Sequence, residues 1–412
     1  MSSPSTEAPE PASTLAIQRQ LVVLRCLGYV GVQLNAILVP LLVFKLSGSA
    51  VYAGLALLFE WLPKLGLYLV GGSLAQRFGR SATHMTLEVL RVLALGGLAL
   101  SAGNLGGLWL VAACAAAYQC CNALSNILFE GSVTQWWAPS RRALGHTLML
   151  RADQLGCLVA LLLGLAIADL WLLAGMGLLL QTGVALGVIR LRGRLHLTEV
   201  SALGTTSSLG VQLARDAKAV RVGPLLRIAA ASALIGIPSA LVFSALAFLM
   251  ERAQPGAAAQ TQLLSTLLLV RTGLALVALQ YVQGQLRRGP RERTLAKQGL
   301  VLMGVSALAC VLPLPLVALG VVVALLGATG SFYLPLLRHI RQERIVAHVE
   351  PSARSGVTGI LISVEAAAYL AAALLLALGG ESLEFIIAAS VVLAAMGAFL
   401  VLAPGPKEQV TA

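Results

Sequence analysis

Twelve long apolar stretches constrain this chain more than any motif in it. Hydrophobic residues make up 58% of the chain and charged residues 11%, whereas a soluble globular protein carries about 25% charged residues. A helix of ~20 apolar residues crosses the ~30 Å hydrocarbon core of a bilayer, and these stretches are continuously apolar, as helices in lipid are. The sequence therefore predicts an all-α polytopic membrane protein. The predicted transmembrane helices are 19–45, 51–74, 82–102, 107–129, 147–168, 170–190, 224–249, 262–283, 296–313, 316–337, 357–379 and 383–403.

The basic residues predict the orientation of these spans. Most Lys and Arg fall in the connections that follow even-numbered spans, and the odd-numbered connections hold little beyond Lys45 and Arg252. Cytoplasmic loops are enriched in Lys and Arg, so we expect the even connections and both termini on the cytoplasmic side of the membrane. The net charge of +12 follows from this asymmetry. It predicts no nucleic-acid partner, because the basic residues do not cluster on one soluble module.

The longest internal connection, 191–222, divides the chain into two sets of six spans. It contains a Ser/Thr-rich stretch, and residues 211–222 are expected to form a basic amphipathic helix on the membrane surface. The prediction is a six-helix bundle at 19–190 and a second one at 223–403. A disordered cytoplasmic tail at 1–18 precedes them, and a second tail at 404–412 follows them.

Each half has a short arginine-rich connection between its second and third spans. In the second half this connection runs from Gly284 to Gly289 and contains Arg287 and Arg288. In the first half its marked positions are Gly72, Leu74, Gln76, Arg77, Gly79 and Arg80. Parallel six-span halves are typical of transporters built from two repeats.

With these features the chain resembles the major facilitator superfamily, whose loop signature is G-x-L-x-D-R-x-G-R-[RK]. The resemblance implies an alternating-access transporter of two six-helix bundles, monomeric, with a small-molecule substrate and no cofactor. The family's aspartate is implied to lock the cytoplasmic gate through charge and helix-dipole contacts. Gln76 stands in its place and accepts hydrogen bonds without a charge. Either the gate is looser here, or Glu130 at the end of span four supplies the charge.

Within the superfamily the chain is most similar to the exporter branch of drug and siderophore efflux proteins. A weaker likeness to ferroportin-type iron exporters lies at Arg151 to Leu155. Metal binding of that type needs a carboxylate and a histidine on span one, which has neither, so no metal site is predicted. All five histidines are predicted to lie in the cytoplasmic connections, which excludes them as intramembrane proton carriers.

Charged residues inside the spans are the main site candidates, because a charge at mid-membrane costs ~2.5–3.5 kcal/mol on insertion scales. We take Glu60, Asp153 and Glu365 as candidates for proton coupling. Lys64 lies four residues after Glu60, on the same helix face. Arg271 is alone among apolar neighbours and is expected to neutralise a carboxylate or bind an anionic substrate group.

Several of these charges have structural interpretations as well. The family geometry places span eleven against span two, which implies a Glu60–Lys64–Glu365 cluster between the halves. Glu60 and Lys64 are equally compatible with a self-contained ion pair. Glu88 and Arg91, three residues apart on span three, are predicted to form a structural ion pair.

Polar side chains also form stripes at helical spacing on spans one and four. In the family fold these two spans line the central cavity, although such stripes also serve as hydrogen-bonding contacts between helices. The stripe residues are Arg25, Tyr29, Gln33 and Asn35 on span one, and Tyr118, Asn122 and Asn126 on span four.

The prediction from the sequence is a proton-coupled secondary active transporter that exports a small organic compound. Arg25 and Arg271 favour an anionic or metal-chelating, siderophore-like substrate. An importer of a metal chelate or metabolite, a uniporter, and a non-transporting sensor or assembly factor remain as alternatives. The sequence has no phosphate-binding loop and no hydrolase motif, so it predicts no enzyme.

Overall fold

The computed structural model describes residues 12–47, 64–71, 74, 80–167, 169–195, 209–221, 223–234, 257–288, 292–310, 316–350 and 353–378, with four residues at 392–393 and 396–397. Every regular element in these ranges is helical, as predicted. The helices are α1 (Ala12–Ser47), α2 (64–71), α3 (Arg80–Ala102), α4 (Leu108–Trp136), α5 (Arg142–Ala166), α6 (Leu170–Leu195), α7 (Leu209–Val220), α8 (Gly223–Leu234), α9 (Ala257–Arg287), α10 (Glu292–Cys310), α11 (Leu316–His348) and α12 (Arg354–Leu378).

The protein is a multi-pass membrane protein. Within the described ranges, six helices are long and apolar enough to cross a bilayer, namely α1, α3, α4, α5, α6 and α9. Large apolar side chains cover the outside of these helices. Leu93, Trp109, Leu179 and Val277 are each more than three-fifths exposed. Such a surface is stable against lipid tails and would aggregate in water.

Several helices extend beyond their predicted apolar spans at the end of the molecule that carries the arginine-rich connections, called here the basic end, and three of them are α4, α5 and α11. Helix α4 continues to Trp136 and α5 begins at Arg142. Helix α11 continues to His348, eleven residues beyond the predicted 337. These additional turns are charged, and their charges bond across helices, which is why apolar length underestimates the helices there.

The longer helices correct the prediction for the histidines. His84 lies in α3, His146 in α5 and His339 in α11, none of them in a connection. His84 and His146 are buried. For His146 and His339 the prediction was wrong because it ended the helices where the apolar residues end, whereas His84 already lies within the predicted span 82–102.

Helix α1 lies at the centre of the first half of the chain and contacts α4, α5 and α6. Its buried Leu38 packs in one core with Leu98 of α3, Val111 of α4 and Leu173 of α6. This core fixes the rotation of α1 and therefore the direction in which its polar stripe points.

Helices of the first half also contact helices of the second half. Helix α5 packs against α9 and α11, and α4 packs against α12. Tyr68 of α2 and Ile127 of α4 share a core with Ile362 and Ala366 of α12. The contact of span two with span eleven, which the family geometry implies, is thereby confirmed.

Candidate functional site

Arg25 of α1 and Asp153 of α5 form a two-pronged ion pair between helices. The Arg25 Nη2 atom donates to Asp153 Oδ2 at 2.8 Å, and Arg25 Nε donates to Asp153 Oδ1. Arg25 Nη1 donates to Asn126 Oδ1 of α4 at 2.6 Å, and Asn126 Nδ2 donates to the Tyr68 hydroxyl at 3.3 Å. The Arg25 side chain is 11% exposed and the Asp153 side chain 4%. We call Arg25, Asp153, Asn126 and Tyr68 the central cluster.

Aromatic rings hold the guanidinium of Arg25 on its other sides. Its central carbon lies 5.6 Å from the ring centre of Tyr29 and 5.3 Å from that of Phe129. Cation–π contacts of this kind stabilise a cation that has left water. The Tyr29 hydroxyl is hydrogen-bonded to Gln33, one turn along α1.

Gly156 permits the approach of α1 and α5 at this pair. A Cβ atom at Gly156 would lie 2.6 Å from the carbonyl oxygen of Cys26 and 3.0 Å from the Val30 nitrogen. Only a glycine admits backbone that close. Because Asp153 lies almost one turn before Gly156, the close approach brings its carboxylate to Arg25.

The central cluster lies within the membrane-spanning part. Asp153 is six residues into the predicted apolar span that starts at 147, and Arg25 is six residues into the span that starts at 19. Six residues correspond to ~9 Å along a helix axis, about a third of a ~30 Å hydrocarbon core. A charge pair at such a depth is a functional-site candidate by position alone.

A second cluster joins the two halves of the chain nearer the basic end. Glu130 Oε2 of α4 accepts from Arg341 Nη2 of α11 at 2.5 Å, and Glu130 Oε1 lies 3.5 Å from Arg338 Nε. Arg341 Nη1 donates to Glu365 Oε2 of α12 at 3.4 Å. Gln342 Nε2 is 3.5 Å from Glu130 Oε2. We call Glu130, Arg338, Arg341 and Glu365 the inter-half cluster.

Two further contacts connect the halves along α5. Arg142 Nη1 donates to Glu343 Oε1 of α11 at 2.8 Å, at the start of α5. Arg151 Nη1 donates to Gln283 Oε1 of α9 at 2.9 Å. Together with the inter-half cluster they close the space between the halves at the basic end.

His146 of α5 lies within the closed region. It is 2% exposed, and its ring centre is 6.4 Å from that of His339 on α11. Its Nε2 has no hydrogen-bond partner among the described residues. A histidine in this position would become accessible when the two halves separate.

Glu88 of α3 anchors a polar network inside the first half. Both of its carboxylate oxygens lie 3.1 Å from Arg91 Nη1, which confirms the predicted ion pair. Ser125 Oγ donates to Glu88 Oε1 at 3.2 Å, and Gln181 Nε2 donates to Glu88 Oε2. Arg91 Nη2 donates to the Tyr118 hydroxyl at 3.0 Å. These contacts join α3, α4 and α6 and involve no residue of the second half.

The central cluster unites three of the predicted site residues, and Tyr29 borders it. Tyr118 belongs to the Glu88 network, whereas Asn122 is buried in α4. Asn35 is fully buried in α1, and neither of its amide atoms has a hydrogen-bond partner among the described residues.

The remaining predicted residues are more dispersed. Glu365 bonds Arg341, a residue outside the cluster predicted for it, and Lys64 is buried at the start of α2. Arg271 is half-buried on α9, next to Thr272, whose hydroxyl lies 3.9 Å from Cys157 Sγ of α5.

Part of the predicted loop signature is described. Leu74 is helical and half-buried, and Arg80 begins α3. Glu60, Gly72, Gln76, Arg77 and Gly79 lie outside the described residues.

Sequence reasoning missed the role of Arg142, Arg338, Arg341 and Glu343, which it assigned to loops. A signal was present at the end of α11. Ile345 and Val349 lie four residues apart beyond the predicted boundary at 337, and both are buried. Extending the helix to that pair would have placed Arg341, four residues before Ile345, on the same packed face.

Comparison with solved structures identifies the architecture. The chain is similar to FucP, the fucose:proton symporter of E. coli, in its outward conformation, with a TM-score of 0.74 and 14% identity over 95% of this chain and 100% of that one. The chain has the fold of the major facilitator transporters. A bacterial homologue of the iron transporter ferroportin in its outward-facing state gives a TM-score of 0.74 at 16% identity, with 93% of this chain and 98% of that one covered.

The human organic anion transporter MFSD10 (TETRAN) has the same fold. Its TM-score is 0.75 at 16% identity, over 95% of this chain and 100% of that one. No family model matches the sequence, and no curated protein matches it. The resemblance to the superfamily in the loop signature is thus confirmed at the level of the fold.

Proposed function

We propose that this protein is a proton-coupled secondary active transporter of a small organic anion, and not an enzyme. In this proposal twelve transmembrane helices form two six-helix bundles in a bacterial inner membrane, with both termini in the cytoplasm. The two bundles alternate access to a site around the central cluster. The carrying observation is the Arg25–Asp153 pair, a cation and a carboxylate held together inside two membrane-spanning helices.

The central cluster supports coupling between a proton and an anion. Asp153 occupies two of the donors of Arg25. A proton on Asp153 removes its negative charge and releases those donors, and Arg suits two-pronged binding of a carboxylate, phosphate or similar group. Arg271 on the neighbouring α9 adds positive charge on the side of the second half. In this proposal Asp153 and the anion compete for the same donors of Arg25.

The inter-half cluster supports alternating access. Its ion pairs join α4 to α11 and α12 at the basic end, which the distribution of Lys and Arg assigns to the cytoplasm. The described conformation is thus closed on the cytoplasmic side. In this proposal Glu130 supplies the charge that Gln76 lacks, which is the second of the two sequence interpretations. Opening requires that these pairs separate.

The direction of transport has two candidates. Export follows from the likeness to the exporter branch, and the substrate is then a drug-like or siderophore-like compound. Import is favoured by the central cluster itself, because a proton on Asp153 strengthens anion binding at Arg25. A proton and an anion that bind together move together, and an inward proton gradient then drives uptake.

A binding screen is the first test. Purified protein is heated with organic acids and with hydroxamate and catecholate chelators, at pH 5.5 and pH 7.5. A ligand at one hundred times its Kd stabilises the protein by about 2.7 kcal/mol. We expect to find an anionic ligand that raises the unfolding temperature more at pH 5.5 than at pH 7.5. Asp153→Asn should keep the binding and lose its pH dependence, whereas the matched Asp169→Asn, in a carboxylate that caps α6, should change neither.

The ligand is then assayed in proteoliposomes that contain a pH-sensitive dye. Uptake with acidification of the lumen indicates symport, and exchange of ligand for protons indicates export. Transport that persists after the proton gradient is collapsed would indicate a uniporter and contradict proton coupling. Absence of any ligand and any flux would favour the sensor or assembly-factor alternative and reject the proposal.

A further inference from the structure

The connection between the two halves contains a helix that docks on the second half. Helix α7 spans Leu209–Val220, so a helix in the region predicted at 211–222 is confirmed, but its buried face packs on α12 and not on the membrane surface. Its buried residues Gln212, Asp216 and Val220 recur every four positions and form one face. That face contacts α12. Arg215 and Lys218 lie on exposed positions of the same helix.

Asp216 is the central residue of this contact. Its side chain is fully buried. A Cβ atom built on Gly356 would lie 1.8 Å from Asp216 Oδ2 and 2.6 Å from its carboxyl carbon. Residue 356 therefore has to be a glycine for this carboxylate to reach α12.

The carboxylate meets α12 in its first turn. Helix α12 begins at Arg354, and the first amide N–H groups of a helix have no acceptor within it. The aligned peptide dipoles place partial positive charge at the same end, which a carboxylate neutralises. Arg215 Nε lies 3.6 Å from Asp216 Oδ1 and adds a cation on the outer side.

The first turn of α12, on which α7 docks, is also bonded to the end of α11. Arg354 donates from Nη2 to the Val346 carbonyl at 3.0 Å and from Nε to the Val349 carbonyl at 3.1 Å, at the end of α11. Val220 of α7 shares a buried core with Ile345 and Val357. The basic ends of α11 and α12 are therefore held as one unit, with α7 covering it.

This unit carries the residues of the second half that close the gate. Arg338 and Arg341 lie on α11, and Glu365 lies on α12. Gln342 Nε2 is 3.5 Å from Thr358 Oγ1, so the two helices also contact each other between the docked end and the inter-half cluster. A shift of the first turn of α12 would be transmitted to Arg341 through these contacts.

We propose that α7 is a latch, in which Asp216 positions the start of α12 and so favours the conformation that is closed at the basic end. The latch rests on the proposed alternating-access function. Gln76 replaces the aspartate of the loop signature in this chain. Asp216 provides a carboxylate at the N-terminus of α12, at this same end of the molecule. Release of α7 from Gly356 would accompany opening.

Hydrogen exchange of the full-length protein in nanodiscs tests the docking contact. With Asp216→Asn we expect exchange of the amides in α7 and in residues 354–361 to rise roughly fivefold, as loss of a charge at a helix N-terminus implies. Gly356→Ala should expose the same two segments. Asp169→Asn removes the matched carboxylate at the start of α6 and should affect that segment alone. Unchanged exchange of α7 in both latch variants would overturn the docking contact.

Chemical labelling of histidines tests the effect on the gate. Diethyl pyrocarbonate modifies accessible imidazoles, and His146 is buried between the halves, whereas His348 is exposed at the same end. We expect Asp216→Asn to raise the labelling rate of His146 about fivefold and to leave that of His348 unchanged. Faster exchange of α7 without faster labelling of His146 would show that α7 does not control the gate and would reject the latch.

These two readouts need no substrate. A failure of the transport proposal therefore shows itself in the ligand screen and proteoliposomes, and a failure of the latch shows itself in exchange and labelling. Suppose that the protein transports with normal pH dependence and that Asp216→Asn does not change the labelling rate of His146. The proposed function would then stand, and the latch would be rejected.

Discussion

Glu130 of α4 accepts a hydrogen bond from Arg341 of α11, with 2.5 Å between Oε2 and Nη2, although 211 positions separate the two residues in the chain. Arg341 also bonds Glu365, and Glu130 also approaches Arg338, so two arginines and two glutamates share one network. A buried network holds a conformation only while its charges are matched. Its position between α4 and α11 makes it the contact that must break when the basic end opens.

The first prediction concerns Glu130→Gln. The substitution keeps the shape of the side chain and leaves Arg341 and Arg338 with less neutralising charge in a region of low exposure. Removing one partner of a buried ion pair destabilises by ~3–5 kcal/mol. We expect the closed conformation to be destabilised by about that free energy, and His146 to become accessible to the labelling reagent. The measurement is the labelling rate of His146 together with the midpoint of thermal unfolding in detergent.

The second prediction is that Glu343→Gln has a much smaller effect. Arg142–Glu343 also connects the first half to α11, from α5 instead of α4, but the Glu343 side chain is 41% exposed. Solvent screens such a pair, and its loss costs ~0.2–1 kcal/mol. This variant is the matched control for Glu130→Gln. Equal effects of the two substitutions on His146 labelling would mean that the inter-half cluster has no special role in closure.

The third prediction separates stability from gating through Glu88→Gln. Arg91, Ser125 and Gln181 all donate to this carboxylate, and all belong to the first half. The loss of its charge should destabilise the protein by ~3–5 kcal/mol, because Arg91 is left buried with fewer acceptors. Since no residue of the second half takes part, we expect unchanged labelling of His146 in the folded protein. Increased labelling below the unfolding temperature would contradict the structural interpretation.

The sequence predicted the helical class, most helix positions within the described ranges and the Glu88–Arg91 pair. Continuous apolar length and i,i+3 spacing are local properties, so they can be read without knowledge of the fold. The pairing of Arg25 with Asp153 could not be read this way. Each residue was recognised as a polar residue in an apolar span, but their contact depends on the approach of α1 and α5 at Gly156.

The gate was predicted poorly for a different reason. Arg338, Arg341 and Arg142 were interpreted as orienting charges, since they lie where the apolar stretches stop. In the structure they lie on helices that continue past those stretches and bond carboxylates of other helices. Within the inter-half cluster, Glu130 was connected to gating through its position at the end of span four and the absence of an aspartate at Gln76. Glu365 was assigned to a different cluster between the halves, with Glu60 and Lys64. Charge counts set the orientation of a membrane protein but do not show which charges are paired.

The last prediction tests the geometry of the central cluster with two glycine substitutions. Gly156→Ala places a methyl group 2.6 Å from the Cys26 carbonyl oxygen, so α1 and α5 must separate by several tenths of an ångström or more. Overpacking of this kind costs ~1–3 kcal/mol. Gly183→Ala in α6 meets no atom within 4 Å and should stabilise its helix by up to ~1 kcal/mol. Opposite shifts of the unfolding midpoint are therefore expected.

Because the added methyl group also moves Asp153 away from Arg25, Gly156→Ala should weaken the pH dependence of ligand binding, which Gly183→Ala leaves intact. A Gly156→Ala protein with wild-type stability and wild-type pH dependence would show that the close approach of α1 and α5 does not position the pair.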